Sequence, residues 1–408
     1  MKPENLLDLP RNLLATALDR LSYYPGVVLL GPRQVGKTTL AKAIAAHYPG
    51  SIFLDMERAA DRAQLQGAEA FFAAHRNRLV VLDEVQAFPD IFEALRPEID
   101  AQRSAGRFLL LGSASGKLLR QSAESLAGRV SYLELQPLLA NELPAARALN
   151  TGEQAASDQA LLALQRLLLR GGFPLAYTAS SDDRSMQWRQ DMIQTFLQRD
   201  LPQLGVTIAA TTLHRVWRML AHNHAQIFNA AQIGQALGGV SHTTIGRYLD
   251  LFVDAMMLRR LQPLHANLGK RLVKSPKVYV RDTGLLHALL GLGSIADLQG
   301  HSIVGASWEG MVVEHIMAAA PTGSEVNFYR TAAGAEIDVV ITLGGKRLGF
   351  EAKFSSAPKP TRSFWQSGVD IGLQHTYLVA PVKHGYPIAS NASVIGLSDV
   401  ARVIAALQ

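Results

Sequence analysis

Two apolar patterns alternate along the first third of the chain. Short uninterrupted runs, Val27–Leu30, Leu79–Leu82 and Phe108–Leu111, are separated by stretches in which apolar residues recur every three or four positions. Leu13, Leu14, Ala17, Leu18 and Leu21 show the second pattern, as does the stretch Lys37–His47. An unbroken apolar run suits a strand buried on both faces, and the periodic stretches suit the helices that cover it. With Ser51–Leu54 as a further strand, the pattern predicts an α/β domain on a parallel sheet.

The pattern changes after about residue 145. The polar, small segment Leu149–Gln159 reads as a linker or exposed loop. Ala160–Arg170 and Met186–Leu201 then read as helices, separated by Gly171-Gly172-Phe173-Pro174. Further on, Asn229 is placed to cap a helix with Ala230, Ile233 and Leu237 on one face. Gly238-Gly239 breaks it, and Ser241 can cap a second helix carrying Ile245, Leu249, Phe252 and Val253. Two short helices around a glycine turn make a helix-turn-helix, with Thr243, Thr244 and Arg247 facing outward. If such a unit binds DNA, its second helix enters the major groove, and Lys270, Arg271, Lys274 and Lys277 would suit phosphates. The last part predicts a helix at Ala306–Ala319, three strands, a helix near Phe364–Val369 and the strand "TYLVAPV". The expected division is 1–145, 146–212, 213–275 and 276–408.

Composition narrows the classes. The 408 residues are 48% hydrophobic and 18% charged, as in a folded protein, and the net charge of +6 permits contact with nucleic acid or anionic lipid. The absence of cysteine excludes disulfides, Cys-based zinc sites and thiol catalysis. The first residues lack the pattern of a signal peptide, and no apolar run approaches the ~20 residues of a membrane span. A cytoplasmic location with no membrane partner is the expectation.

Chemistry enters with Gly31-Pro32-Arg33-Gln34-Val35-Gly36-Lys37-Thr38, followed by Thr39, which fits G-x-x-x-x-G-K-[ST]. Glycines let the backbone curl so that successive N–H groups meet phosphate oxygens, and the new helix adds its positive end. Lys37 would contact the β- and γ-phosphates and Thr38 would hold Mg²⁺. "RLVVLDEVQ" then presents Asp83 as a water-mediated Mg²⁺ ligand and Glu84 as the group that polarises the attacking water. The pattern leaves ATP and GTP open. Ser113 or Ser115, at the end of "RFLLLGSAS", could sense the γ-phosphate or orient water. Arg129 could reach a phosphate on a neighbouring subunit of a homo-oligomer, or form a structural ion pair; Arg33 is a weaker candidate for charge neutralisation.

In "GAEIDVVITLGGKRLGFEAKF" twelve residues separate Asp338 from Glu351, and Lys353 follows two residues later. Two carboxylates on adjacent strands can converge on one Mg²⁺, a hard cation that takes oxygen ligands, and Lys353 shares the sheet face of Glu351. Glu309, or Glu314, could add a carboxylate from the preceding helix, and Glu336 shares the face of Asp338. The bland reading is an exposed ion pair across a hairpin.

"LLGPRQVGKTTL", "VVLDEVQAFPDIFEALRPEID", "LLLGSAS", "LRGGFPLAY", "FLQRDLPQLG" and "YVRDTGLLHALLG" resemble blocks of a prokaryotic family in which an AAA-type ATPase is fused to a C-terminal domain of unknown function. That resemblance covers most of the chain. It implies an AAA-type P-loop ATPase domain using ATP and Mg²⁺, a winged-helix-like middle and a restriction-endonuclease-like C-terminal α/β domain. The order helix, three strands, helix, strand, with Asp338, Glu351 and Lys353, resembles the core of PD-(D/E)xK nucleases, with Asp338, Glu351 and Glu309 as the implied metal ligands. DNA is the implied partner, either cut in a Mg²⁺-dependent step or bound by an ATP-switched regulator that does not cut.

Overall fold

A computed structural model describes residues 9–113, 126–147, 154–203, 205–264 and 272–407. Ser115, Lys270 and Arg271 lie outside them. The described residues form two compact units, one within 9–137 together with 254–256, the other within 138–253 together with 257–407.

The first unit is built on five parallel strands: β1 (Gly26–Gly31), β2 (Ile52–Asp55), β3 (Val80–Asp83), β4 (Phe108–Ser113) and β5 (Val130–Glu134), in the order β2-β3-β4-β1-β5. The unbroken apolar runs have their expected cause. Val28, Leu30, Val80, Leu82, Phe108 and Leu110 enter one core with Phe72, Ile91, Leu95 and Ile99, while Val27, Leu29, Val81, Leu109 and Leu111 are buried on the opposite face. The strand β5 escapes the pattern because it closes the sheet edge, where VSYLE alternates between inside and outside.

Register matters for function. Gly31 pairs with Ser113, and Leu82 with Leu110, so the ends of β1, β3 and β4 lie side by side at the carboxyl edge. In open parallel sheets that edge is where ligands bind. The phosphate-loop candidate, the Asp83-Glu84 pair and Ser113 therefore meet, although they are far apart in the chain.

The second unit begins with helices. The helix Gln154–Arg170 starts inside the segment expected as a linker. The helix expected at Met186–Leu201 spans Asp182–Thr195 and continues through a π-helical turn, Phe196–Asp200. Helices Ala210–His222, Ala230–Ala236 and His242–Asp254 follow, with the predicted caps: Asn229 accepts from the Gln232 amide at 3.1 Å and Ser241 from Thr244 at 3.2 Å. Ile245, Leu249 and Phe252 are buried, and Thr243 and Arg247 are exposed. These helices are joined by a three-stranded antiparallel sheet of β6 (Gln226–Ile227), β7 (Leu258–Leu261) and β8 (Lys277–Val280), in the order β6-β8-β7. The strand β8 lies beyond the expected boundary at 275, yet it pairs with both strands before it.

The remaining strands are β9 (Glu325–Arg330), β10 (Glu336–Leu343), β11 (Lys346–Ala352), β12 (His375–Val379), β13 (Tyr386–Ala389) and β14 (Ala392–Ile395), in the order β13-β14-β12-β11-β10-β9. β9, β10 and β11 are antiparallel neighbours, and β11, β12 and β14 run parallel. The Gly344-Gly345 turn between β10 and β11 has positive φ at both glycines, 56° and 81°, as a tight hairpin requires. Helices Val304–Ala319 and Arg362–Asp370 complete the predicted helix, three strands, helix, strand order. The whole is α/β: a parallel P-loop sheet, a helical middle and a separate mixed sheet.

Candidate functional site

The loop Gly31–Gly36 turns sharply between β1 and the helix Lys37–Ala45. A Cβ at Gly31 would lie 2.5 Å from the Leu135 carbonyl oxygen, so only glycine fits without movement. Gln34 and Gly36 have φ of 63° and 103°, which turns the backbone back on itself ahead of the helix. Val35 is buried and anchors the loop from below. Arg11, which carries no local motif, donates to the Val35 carbonyl at 3.0 Å and braces the loop from outside.

Lys37 is 4% exposed, and its ammonium donates to the carbonyls of Gly31 and Pro32 at 3.1 and 3.0 Å. Burial lowers its pKa, against the raising influence of Glu84 and Asp83. Thr38 donates its hydroxyl to Asp83 at 2.7 Å. Burial raises the pKa of Asp83, and the Thr38 hydrogen bond opposes it. One hydroxyl and one carboxylate, side by side at a helix start, are the hard-oxygen donors that Mg²⁺ takes together with phosphate oxygens and water.

Glu84 stands at the left-handed φ of 52°, a conformation that costs a non-glycine residue about 1–3 kcal/mol and persists only where its surroundings hold it. Two side chains hold it: Ser113 donates to Glu84 at 3.2 Å, and the Gln86 amide donates to the same oxygen. Gln86 also accepts from the Ser113 backbone amide at 3.3 Å. The sequence reading missed Gln86; its only signal is its place two residues after Glu84. Arg33 pairs with Glu57 at 2.9 Å. Arg129 grips Asp100 through two nitrogens at 2.9 and 2.6 Å, holding the Asp100 carboxyl down at about 2. As placed, Arg129 makes the structural ion pair rather than an outward-reaching contact.

In the second unit, Glu309, Glu336 and Asp338 converge on the side chain of Lys277. Lys277, expected at the surface against phosphates, is 2% exposed. Its ammonium lies 2.8 Å from Glu309, 2.7 Å from Glu336 and 3.6 Å from Asp338. The reason is local: Lys277 opens the strand KVYV, which is buried at every position, so its side chain is buried with the strand. Burial alone would lower its pKa; the charges of Glu309, Asp338 and Glu336 outweigh that and raise it. Tyr279 donates to Glu309 at 2.7 Å. Burial, and then the charge of Asp338, push Glu309 up to about 7, because one ammonium faces three acids.

Asp338 accepts the Ala352 amide at 2.9 Å. Glu351 pairs with Lys353 at 2.7 Å, and its other carboxylate oxygen is buried without a hydrogen-bond partner. Burial raises the pKa of Glu351. Among the described residues, no group of three or more His, Asp or Glu is arranged to hold a metal ion. The one unpartnered oxygen is a single donor, and the cation position between the acids is taken by Lys277; this set does not fit Mg²⁺ as it stands. Glu314 is held by the guanidinium groups of Arg259 and Arg281, the latter at 2.9 Å, so it belongs to a buried ion-pair cluster and not with Glu309.

Fold and loop together define a protein with an AAA-type P-loop domain. The AAA domain family matches residues 24–143, and two domains of unknown function, DUF8612 and DUF4143, match residues 161–296 and 304–400. The chain is 41% identical over 377 residues to the uncharacterized proteins Rv2008c of Mycobacterium tuberculosis and Mb2031c of Mycobacterium bovis, covering 92% of this chain and 81% of each relative. It belongs to the family of these proteins. Among solved structures, the Walker-type ATPase paby2304 of Pyrococcus abyssi is similar over 70% of this chain and 100% of its own, at 14% identity and a TM-score of 0.46. The Thermotoga maritima RuvB Holliday junction branch migration motor is similar over 63% of this chain and 93% of its own, at 19% identity and a TM-score of 0.29. No helix among the described residues is long and apolar enough to cross a membrane.

Proposed function

We propose that the protein binds and hydrolyses ATP at the loop Gly31–Thr39 and that nucleotide state governs a DNA interaction of the second unit. The observation that carries the ATPase reading is the 2.7 Å Thr38–Asp83 hydrogen bond beside a Glu84 held in place by Ser113 and Gln86. In this reading the loop amides and Lys37 meet the phosphates, and Thr38 and Asp83 hold Mg²⁺ directly or through water. Mg²⁺ supplies charge neutralisation on the phosphates when bound. Glu84 takes the proton of the attacking water.

The second unit is read as a winged-helix-like segment joined to a PD-(D/E)xK nuclease-like domain. The exposed Thr243 and Arg247 and the order of elements around Asp338, Glu351 and Lys353 support it. Of its two forms, the regulator that binds without cutting is favoured by one specific observation: Lys277 lies inside the acidic cluster. The test is DNA-binding anisotropy with and without ATP, alongside a cleavage assay with Mg²⁺. ATP-dependent binding without cleavage supports the regulator. Cleavage lost in Asp338→Ala and Lys353→Ala supports the nuclease, and neither binding nor cleavage removes DNA from the account.

A further inference from the structure

We propose that the carboxylate cluster of the second unit carries its own cation: the Lys277 ammonium occupies the place among Glu309, Glu336 and Asp338 that a divalent metal would need, and closes the site to metal-dependent cleavage. This rests on the nuclease-like reading of the sheet and is independent of the ATPase reading. Three observations carry it.

The first is position. Lys277 is no flexible surface lysine that drifted toward acids. Its backbone is paired on both sides, with Leu261 of β7 and Ile227 of β6, in the middle of a three-stranded sheet. Its ammonium also sits 5.6 Å from the centre of the Phe328 ring. At 2% exposure and held on three acids, the ammonium is fixed in place where an incoming ion would have to displace it.

The second is donor use. Glu309 accepts from both Lys277 and Tyr279 on one oxygen, Oε1, Glu336 accepts from Lys277 on one oxygen and pairs with Arg330 on the other at 3.3 Å, and one oxygen of Asp338 accepts a backbone amide. Mg²⁺ demands near-octahedral oxygen geometry and sheds water reluctantly, so it competes poorly with a fixed ammonium for these oxygens. The third is electrostatic. Replacing a buried, paired ammonium by a metal would leave the ammonium unpaired in the interior, which is costly.

The chemistry left to such a sheet is recognition rather than scission. Lys277 therefore is a positioning residue that holds three carboxylates in register across the helix Val304–Ala319 and β10.

The experiment is a Mn²⁺ titration of the full-length, nucleotide-free protein by calorimetry and by electron paramagnetic resonance. Four forms are compared: wild type, Asp338→Ala, Lys277→Met and Lys277→Met with Asp338→Ala. The expected result is identical Mn²⁺ binding by wild type and Asp338→Ala, with any residual signal arising outside the cluster. Lys277→Met should gain a site about tenfold or more tighter than anything in wild type, lost again in the double variant.

Wild-type Mn²⁺ binding that disappears in Asp338→Ala overturns the proposal. So does a folded Lys277→Met that gains no Asp338-dependent site. If Lys277→Met does not fold, Lys277→Gln replaces it, and the wild-type arm decides on its own. Absence of DNA binding by wild type would remove the nucleic-acid reading while leaving these metal arms intact.

Discussion

Thr38 and Asp83, 45 residues apart in the chain, meet through a 2.7 Å hydrogen bond that ties the first turn of the helix Lys37–Ala45 to the end of β3. The contact exists because β4 lies between β1 and β3, bringing both strand ends to one edge. It places a hydroxyl and a carboxylate where one hard cation can use both. Glu84 follows immediately, so metal ligand and general base would come from consecutive residues.

Glu84→Gln keeps the side chain's shape and removes its basicity. Nucleotide affinity should stay within about threefold of wild type while turnover falls about a hundredfold or more, the usual worth of a positioned general base. A single-turnover assay with radiolabelled ATP checks this; wild-type turnover in the variant refutes the role of Glu84.

Gln86 and Ser113 both donate to the same oxygen of the Glu84 carboxylate. Gln86→Ala and Ser113→Ala should each lower kcat about tenfold and leave KM nearly unchanged, because they orient a group used in the transition state. Steady-state kinetics of the two variants measure this; an unchanged kcat in both would assign Gln86 and Ser113 to structure alone.

Glu314 offers a prediction about stability. Burial would raise its pKa, but Arg259 and Arg281 together hold it down, to about 2. A folded-state value below the ordinary 4.5 gives stability that is fully present above about pH 4.5 and lost as pH falls toward 2. The shift corresponds to something on the order of 3 kcal/mol. Glu314→Gln should therefore destabilise the second unit by about 3–5 kcal/mol at pH 7, since two guanidinium groups lose their counter-charge, with the gap to wild type narrowing toward pH 2. Urea unfolding at a series of pH values measures it, and a gap independent of pH contradicts the assignment.

Arg247 is exposed on the helix His242–Asp254. If that helix meets DNA, Arg247→Ala should weaken binding and flatten the dependence of log K on log salt by about one unit. Anisotropy at several salt concentrations decides it; an unchanged slope with unchanged affinity takes this helix out of the interface.

Much of this was legible in the sequence, for reasons that can be named. β1, β3 and β4 announced themselves because a strand covered on both faces must be apolar throughout, and the caps Asn229 and Ser241 announced their helices because few residues serve there. β5 did not, since an edge strand needs apolar residues on one face only. Lys277 was misplaced because it ends a basic stretch from Lys270, which invited a surface reading. Its partners lie 32, 59 and 61 residues downstream, and no local pattern encodes a contact set at that range. The clue available was the strand it opens, since a lysine at the head of Val278-Tyr279-Val280 is poorly suited to water. Arg11 and Gln86 were silent for the same reason: bracing a loop or a carboxylate requires one side chain at the right place, with no motif around it.

The central claim is that a nucleoside triphosphate seats against Lys37. Its most direct test is calorimetric titration of Mg²⁺–ATP into wild type and Lys37→Ala, with thermal unfolding to show that both are folded. Wild type should bind saturably with one site per chain, and Lys37→Ala should not bind. No heat from wild type, or equal binding by the two proteins, would contradict it.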